Sequence, residues 1–213
     1  MHNRDKNCRL CNVLHNPFQF DTGELRPCDT ILFKTTNFVL LPSIGPLVCG
    51  HAMVVSRMHY SSLASMPQEA IREYEELAQM LFRLPEISGN LLEAEHGSTR
   101  ECPAGACVVH THIHLLPGFM KHHGFLDSSL PVIGTFPNLA AIHGVSQPYI
   151  LLRGNLGEAV MFAADSVPTQ AIRRVLCDRL GQSDWDWRVE PRNGLIDETV
   201  AFWKAALANA QRP

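Results

Sequence analysis

Three histidines recur at every second position in one short stretch of this chain. His110, His112 and His114 alternate with β-branched or apolar residues in the segment CVVHTHIHLLP, residues 107–117. Because successive side chains of an extended chain point to opposite faces, this spacing predicts a β-strand that displays three imidazoles on one face. Imidazoles titrate near neutral pH, so such a row indicates a metal, an anion or a reaction. The alternative is the polar face of an amphipathic strand.

The central histidine has the geometry of a nucleophile. An imidazole attacks phosphorus when one ring nitrogen is free and the other is held as N–H by a carbonyl. His112 is flanked on both sides, so we expect it to attack the α-phosphate of a nucleotide ester, anhydride or phosphoramidate. A nucleotidyl-histidine would form, and water or another acceptor would complete the reaction. Neighbouring histidines could donate to phosphate oxygens or to the leaving atom.

These residues carry a family resemblance. The run from His110 to Leu116 resembles the signature of the histidine triad (HIT) superfamily, His-x-His-x-His followed by two apolar residues. Upstream, Gly50 to His59 is similar to the family's Gly-His, apolar strand and closing His. The resemblance implies an α+β fold with an antiparallel sheet of about five strands. It also implies that His114 and His51 assist His112, and that a homodimer is plausible.

Two cysteines near the start of the chain predict half of a zinc site. Cys8 and Cys11 have the spacing with which a tight turn presents two sulfurs to one ion. Free buried thiols and a redox pair remain as alternatives, although no strand-then-helix pattern typical of a thioredoxin-like motif surrounds them. In zinc-containing HIT proteins two histidines complete such a pair. The resemblance therefore implies a structural zinc held by Cys8, Cys11, His59 and His110, with no open position for chemistry.

The chain departs from the family's hydrolases at three positions. Those enzymes commonly carry Gln and then Ser or Thr ahead of the triad, where this chain has Ala106 and Cys107, and Ser43 replaces an acidic residue that grips the ribose. The loss of the Gln-Ser/Thr pair and the loss of the acidic residue each weaken an assignment as a housekeeping dinucleoside polyphosphate or phosphoramidate hydrolase. Backbone N–H groups near Gly105, or a residue from 118–146, could compensate. The predicted substrate-binding residues are Ser43, His51, Gly105, Cys107 and His114.

Composition bounds the class of partner. The 213 residues are 46% hydrophobic and 18% charged, as in soluble globular proteins, and no apolar run approaches the length of a membrane span. The first residues lead into no apolar secretion segment, so we expect a cytoplasmic protein with no membrane partner. A net charge of -3 without a basic cluster argues against nucleic acid and favours a small nucleotide ligand. Seven cysteines indicate reduced thiols.

Periodicity predicts the elements of the first half of the chain. Apolar runs at 30–34 and 38–42 predict a hairpin, and 52–56 and 90–95 predict further strands. Apolar residues at three- and four-residue steps predict an amphipathic helix over 67–84. Its charged residues are expected to form a solvated face, namely Glu69, Arg72, Glu73, Glu75 and Glu76.

The second half is predicted to be an extension of the same core. Residues 118–146 are rich in Gly, Pro and His without periodicity, which predicts a long loop or lid in which His122 and His123 could approach the site or lie on the surface. A second hairpin over 148–163, a helix ending near 180 and a last helix over 197–210 follow. We therefore expect a HIT-like catalytic domain over 1–118 and a loop with a C-terminal α/β extension over 119–213.

The sequence favours an enzyme over a binding module. The first hypothesis is a nucleotide hydrolase or nucleotidyltransferase that acts through a His112 intermediate, with zinc only as architecture. The alternatives are a nucleotide-binding or sensing protein with little turnover, and a pathway-specific enzyme that uses the histidine row for another reaction.

Overall fold

One antiparallel sheet organises the chain. The computed structural model describes residues 5–15, 27–87, 89–99, 102–120 and 130–209, and within them eight strands follow the order β1-β2-β3-β5-β4-β7-β8-β6. The strands are β1 Phe33–Lys34, β2 Phe38–Pro42, β3 Ala52–Ser56, β4 Leu91–Gly97, β5 His112–Pro117, β6 Val132–Phe136, β7 Tyr149–Gly154 and β8 Ala159–Ala163. The predicted α+β class is confirmed, with eight strands where about five were expected.

Helices cover both faces of the sheet. The helices are α1 Arg9–His15, α2 Gln68–Phe82, α3 Ala171–Arg179 and α4 Asn193–Asn209, with short 3-10 helices at Pro27–Asp29, Leu63–Ser65 and Leu139–Ile142. None of the helices in the described part of the chain is long and apolar enough to cross a membrane. Helix α2 and Trp203 of α4 pack on one face, while α1 and α3 contribute to two apolar clusters on the other.

Register decides which residues share the face that carries the histidines. His112 and His114 pair with Val55 and Met53 of β3, and Ala94 of β4 lies opposite His114. The odd-numbered residues of β5 point to α2, where Ile113 and Leu115 join the larger core cluster. The even-numbered histidines therefore point to the opposite face, between the clusters formed with α1 and α3.

Most predicted elements of the first half are confirmed, with two shifts. Strand β3 has the predicted bounds, and α2 begins and ends within two residues of the prediction. Strand β4 reaches Gly97 rather than residue 95, and regular pairing of the triad strand begins only at His112. His110 therefore precedes the strand, where Thr111 still donates its N–H to the carbonyl of Tyr60 at 2.7 Å.

The prediction of an unstructured loop after the triad is wrong over residues 132–142. Strand β6 and a 3-10 helix lie there, and β6 pairs with β8 through an irregular register between Val132 and Gly134. An edge strand with a register shift and partly exposed side chains shows no clean two-residue alternation, so periodicity missed it. His122 and His123 lie outside the described residues.

The second hairpin and the helix that follows it are confirmed as β7, β8 and α3. Strand β7 pairs with β4, so the C-terminal extension continues the sheet rather than forming a separate layer. The last helix begins at Asn193 rather than at 197. Its early start was hidden by Gly194, a poor helix former in the first turn.

The predicted solvated face of α2 is wrong at two positions. Glu73 accepts hydrogen bonds from the Thr35 hydroxyl and from the Asn37 backbone N–H at 2.7 Å, which fixes the β1–β2 turn. Glu75 accepts the backbone N–H of Leu139 at 2.6 Å and pairs with Arg153 at 3.1 Å. Both carboxylates therefore bind other elements, which periodicity within one helix cannot reveal.

Buried carboxylates of β4 face α2 and lie away from the histidines. Glu93 is paired with Arg153 at 2.5 Å and accepts the hydroxyl of Tyr74 at 2.5 Å. Glu95 accepts the Leu63 N–H and the Tyr149 hydroxyl, both at 2.7 Å. Burial raises the pKa of Glu95 to about 7. This network braces the sheet beneath α2, on the face opposite the histidines.

Candidate functional site

The backbone fixes the tautomer of His112. Its Nδ1 lies 2.6 Å from the carbonyl oxygen of His110. Because a carbonyl only accepts, Nδ1 must carry the hydrogen, and Nε2 keeps its lone pair. Burial lowers the pKa of His112, which keeps the ring neutral. The arrangement gives a nucleophilic nitrogen of defined orientation.

A chain of hydrogen bonds fixes the neighbouring ring. The backbone N–H of Leu47 donates to Nδ1 of His51 at 3.1 Å, so neutral His51 carries its hydrogen on Nε2. That Nε2 lies 3.0 Å from Nδ1 of His114 and donates to it. His114 must then carry its own hydrogen on Nε2. Burial lowers the pKa of His51 and of His114 well below the ordinary value, so both rings stay neutral.

Helix α4 holds the turn that precedes His51. The indole N–H of Trp203 donates to the carbonyl of Gly50 at 2.8 Å, and the N–H of Gly50 donates to the Thr199 hydroxyl at 3.1 Å. Gly50 has a φ of +82°, and a Cβ there would lie 2.9 Å from the ring of Phe202. A glycine is therefore required at this turn. The contribution of α4 was not predicted from the sequence.

A further histidine, His96, also reaches the site. It shares the face of Ala94 on β4, and its Nδ1 lies 2.7 Å from the carbonyl of Ala104, so Nε2 is left as an acceptor. Burial lowers the pKa of His96 to about 4. The predicted strand stopped at residue 95, one short of this residue. Alternation carried one position further would have placed His96 beside the triad.

The predicted substrate-binding residues come together around one cavity. Ser43, Gly105, Cys107, His112 and His114 line it, and His51 lies directly behind His114. Unpredicted residues also line it, namely Gln170, Arg173 and Trp187 of the C-terminal extension and Arg9 of α1.

Gly105 has a conformational explanation. Its φ is +76°, and a Cβ would lie 2.6 Å from the carbonyl oxygen of Pro168. Its own carbonyl accepts the N–H of Gln170 at 2.7 Å. Close approach of the extension therefore requires a glycine here, whether or not a phosphate also approaches.

The four predicted metal ligands form a second cluster beside the first. One ligand atom from each of Cys8, Cys11, His59 and His110 lies within 4.8 Å of all the others. The Nδ1 of His110 lies 3.3 Å from the sulfur of Cys8 and 3.5 Å from that of Cys11, and Cys11 lies 3.4 Å from Nδ1 of His59. Tetrahedral zinc would separate sulfur and nitrogen by about 3.5 Å at ordinary bond lengths. The geometry therefore fits zinc.

Hydrogen bonding and charge also suit a cation. The Nε2 of His110 donates to the carbonyl of Ser56 at 2.7 Å, so its Nδ1 lone pair faces the sulfurs. Burial and the neighbouring Cys11 raise the pKa of the Cys8 thiol to about 11. A bound cation would reverse that cost because thiolate is the form that coordinates metal.

Comparison with known proteins finds a similarity to one family. The HIT domain family matches residues 26–121, which contain both histidine motifs. Adenylylsulfatase HINT3 of Arabidopsis thaliana is 25% identical over 116 residues, which span 52% of this chain and 51% of the relative. The chain therefore matches about half the length of that curated relative.

The chain is also similar to solved structures at low identity. A Zn-bound histidine triad family protein from Mycobacterium smegmatis is 20% identical with a TM-score of 0.39, over 52% of this chain and 74% of that chain. Yeast Ap4A phosphorylase in complex with Ap4A is 12% identical with a TM-score of 0.43, over 79% and 73%.

Proposed function

We propose that the protein, whose residues 26–121 match the HIT domain family, transfers a nucleotidyl group from a nucleotide conjugate to water or another acceptor through His112. The observation that carries the proposal is the 2.6 Å contact between Nδ1 of His112 and the carbonyl of His110. It leaves Nε2 unprotonated inside a cavity, as nucleophilic attack on phosphorus requires. The name of the matched relative, an adenylylsulfatase, agrees with cleavage at the α-phosphate.

In the first step, the Nε2 lone pair of His112 forms a bond to the α-phosphorus and the bond to the leaving group breaks with its electron pair. The positive charge that develops on the ring is stabilised by the carbonyl of His110, which accepts from Nδ1–H. His114 Nε2–H is the donor that the hydrogen-bond chain from Leu47 and His51 leaves for a phosphate oxygen or the leaving atom. Such preorganised donors act where negative charge develops.

In the second step, water attacks the phosphorus of the nucleotidyl-histidine. The phosphorus–nitrogen bond breaks, neutral His112 is restored, and the proton of the water leaves with solvent. Another nucleophile in place of water would give transfer rather than hydrolysis. The Nε2 acceptor of His96 lines the same cavity and suits an incoming hydroxyl group.

Zinc at Cys8, Cys11, His59 and His110 would supply architecture rather than reactivity. Four protein ligands would fill a tetrahedral shell, so no position would be left for substrate. Zinc would affect the reaction only indirectly, by fixing the position of His110. The ring of this residue belongs to the cluster, while its carbonyl orients His112.

A burst experiment tests the proposal. Wild-type protein is mixed with nucleoside phosphosulfates, phosphoramidates and dinucleoside polyphosphates, and release of the leaving group is followed on a millisecond scale. At least one class should show a burst equal to the enzyme concentration before steady turnover. No release from any class would contradict an enzymatic role.

A nucleotide-sensing function is the second candidate. Ala106 is buried without a polar side chain and Cys107 is exposed, so neither position offers the amide or hydroxyl donor that a phosphate would use. Micromolar binding of a nucleotide without a burst would favour this alternative.

A further inference from the structure

Arg173 of α3 brings an unpartnered positive charge to the histidine cavity. The side chain is 4% exposed and lines the cavity with His112 and His114. Its Nε donates to the carbonyl of Trp185 at 2.8 Å, yet neither terminal nitrogen has a hydrogen-bond partner among the described residues. A buried guanidinium without a counter-ion is costly, so its retention indicates a ligand that supplies the missing charge.

A second polar atom at the same cavity also lacks a partner. The Nε2 of Gln170 donates to Asp186 at 2.8 Å, but its Oε1 is buried without a hydrogen bond to the described part of the protein. Four buried side-chain atoms are unsatisfied in that part, and three of them belong to Gln170 and Arg173. Their concentration at one cavity favours a binding site over a packing defect.

The surrounding charges leave Arg173 free for an anion. The nearby carboxylate of Asp186 is engaged by Arg188 at 2.9 and 3.0 Å and by Gln170. Two other nearby cations are already engaged. Arg192 is held by the side chain of Gln182 at 2.8 Å and by backbone carbonyls. Arg9, which also lines the cavity, is paired with Asp29 at 2.8 Å. Arg173 and His114 line the same cavity. Burial is the main cause of the lowered pKa of His51 and His114, and the charge of Arg173 adds to it.

We propose that Arg173 binds the phosphate oxygens of the substrate and supplies the donors that Ala106 and Cys107 lack. The planar guanidinium presents two N–H groups in a fork that matches two oxygens of one phosphate. The ligand class is a nucleotide phosphate, and this part of the inference rests on the function proposed above. Gln170 Oε1 accepts from a hydroxyl or amine of the same substrate.

The extension is built to hold Arg173 in place. The guanidinium of the adjacent Arg174 lies 3.4 Å from the ring centre of Trp185, whose carbonyl holds Arg173. The Gln170 to Asp186 hydrogen bond joins the start of α3 to the same segment. A cation delivered from a fixed segment binds anions without further ordering of its side chain.

Calorimetry with Arg173→Met tests the proposal. Binding of AMP and GMP is compared with binding of adenosine and guanosine, which lack only the phosphate. The dissociation constant of the nucleotide that binds wild type should rise roughly 10- to 100-fold, because a charge-assisted hydrogen-bond pair is lost. Nucleoside binding should change less than about twofold, since no phosphate is present. Equal weakening of nucleotide and nucleoside, or no weakening, would overturn the assignment.

Two controls separate binding from folding. Arg179→Met removes an exposed guanidinium from the same helix, at a position that does not line the cavity, and should leave nucleotide affinity unchanged. The unfolding midpoint of Arg173→Met should stay level or rise, because the substitution removes a buried charge that has no ion-pair partner among the described residues and makes one hydrogen bond, to Trp185. A lower midpoint with equal loss of all ligands would make Arg173 a structural residue.

The outcome is distinguishable from failure of the proposed function. If no conjugate gives a burst while AMP affinity still depends on Arg173, the phosphate site stands and the enzymatic role falls. If a burst occurs and Arg173→Met leaves both its rate and AMP affinity unchanged, the role of Arg173 falls and the enzymatic role stands.

Discussion

The two histidine clusters of this protein share a backbone segment but differ in what their rings face. In the first cluster, His110 turns Nδ1 to two sulfurs and donates Nε2–H to the carbonyl of Ser56. In the second, His112 donates Nδ1–H to a carbonyl and keeps Nε2 for the cavity. The two histidines are only two residues apart, yet the ring of His110 is oriented to hold an ion and the ring of His112 is oriented to attack phosphorus.

Hydrogen-bond partners, rather than residue type, decide the difference. A carbonyl at one ring nitrogen forces the lone pair onto the other nitrogen, and the position of the carbonyl selects which nitrogen that is. The clusters also differ in closure. In the cluster of Cys8, Cys11, His59 and His110, four ligand atoms face one another. In the cluster of His112 and His114, the rings face a cavity that the C-terminal extension helps to line. The variants below should therefore affect stability in one cluster and catalysis in the other.

The largest effect is expected at His112. His112→Asn keeps a polar side chain but removes the nucleophile, and the turnover number should fall by about four orders of magnitude or more. Metal content by mass spectrometry should stay at the wild-type value because no ligand is lost. Substantial residual turnover would show that another residue, such as His96, attacks phosphorus.

The matched change in the other cluster is Cys11→Ala. It removes one ligand of the closed site, so we expect loss of bound zinc and a fall of about 3–5 kcal/mol in the free energy of unfolding, as for other lost metal sites. Chemical denaturation with parallel metal analysis measures both. Full zinc content and unchanged stability would show that the four side chains do not form a metal site.

A smaller catalytic effect is expected at His51. In His51→Phe a phenyl ring replaces the imidazole and cannot donate to Nδ1 of His114. The tautomer of His114 is then no longer fixed. The turnover number should fall about 100-fold, as for loss of a positioned donor. Nucleotide affinity should change little. A pure loss of affinity would place His51 in substrate binding instead.

The smallest effect is the response of stability to pH. The pKa of His96 is lowered to about 4, so between pH 6.5 and 4 the unfolded chain binds a proton that the folded chain does not. The contribution of His96 to the free energy of unfolding is therefore complete above pH 6.5 and is lost as the pH falls towards 4. Glu95, with a pKa raised to about 7, has the opposite sign and a similar size. Four further histidines have lowered pKa values and decide the balance, namely His51, His110, His112 and His114.

The free energy of unfolding should therefore fall as the pH drops from 7 to 5. Urea titrations at constant free zinc measure it, and His96→Asn should weaken the dependence. A free energy that rises on acidification would mean that the histidines are protonated in the folded protein.

The sequence was informative where the site is local. His110, His112 and His114 lie at alternate positions of one short segment, and Cys8 and Cys11 are three residues apart, so their spacing predicted the histidine row and half of the metal cluster. The family resemblance, rather than the spacing, pointed to His59 and His110 as the other ligands and to His51 as a partner of His112. The role of each residue stays a proposal. The homodimer, the cytoplasmic location and the boundary at residue 118 stay predictions.

The sequence was uninformative where the site depends on distant contacts. Arg173 is one of three arginines on α3, and only the packing of α3 against Gly105 turns it towards the cavity. Trp203 looks like an ordinary core residue, yet it holds Gly50. Glu93 and Glu95 carry no sign that Arg153 and Tyr149 lie across the sheet. Such contacts follow from tertiary packing, which periodicity does not encode.

Peptide mapping of the trapped intermediate tests the central claim most directly. Protein quenched in base during the burst, which preserves a phosphorus–nitrogen bond, should carry one nucleotidyl group, and fragmentation should place it on His112. A nucleotidyl group on His110, His114 or His96, or turnover with no modified histidine at any time point, would contradict the division of labour between the two clusters.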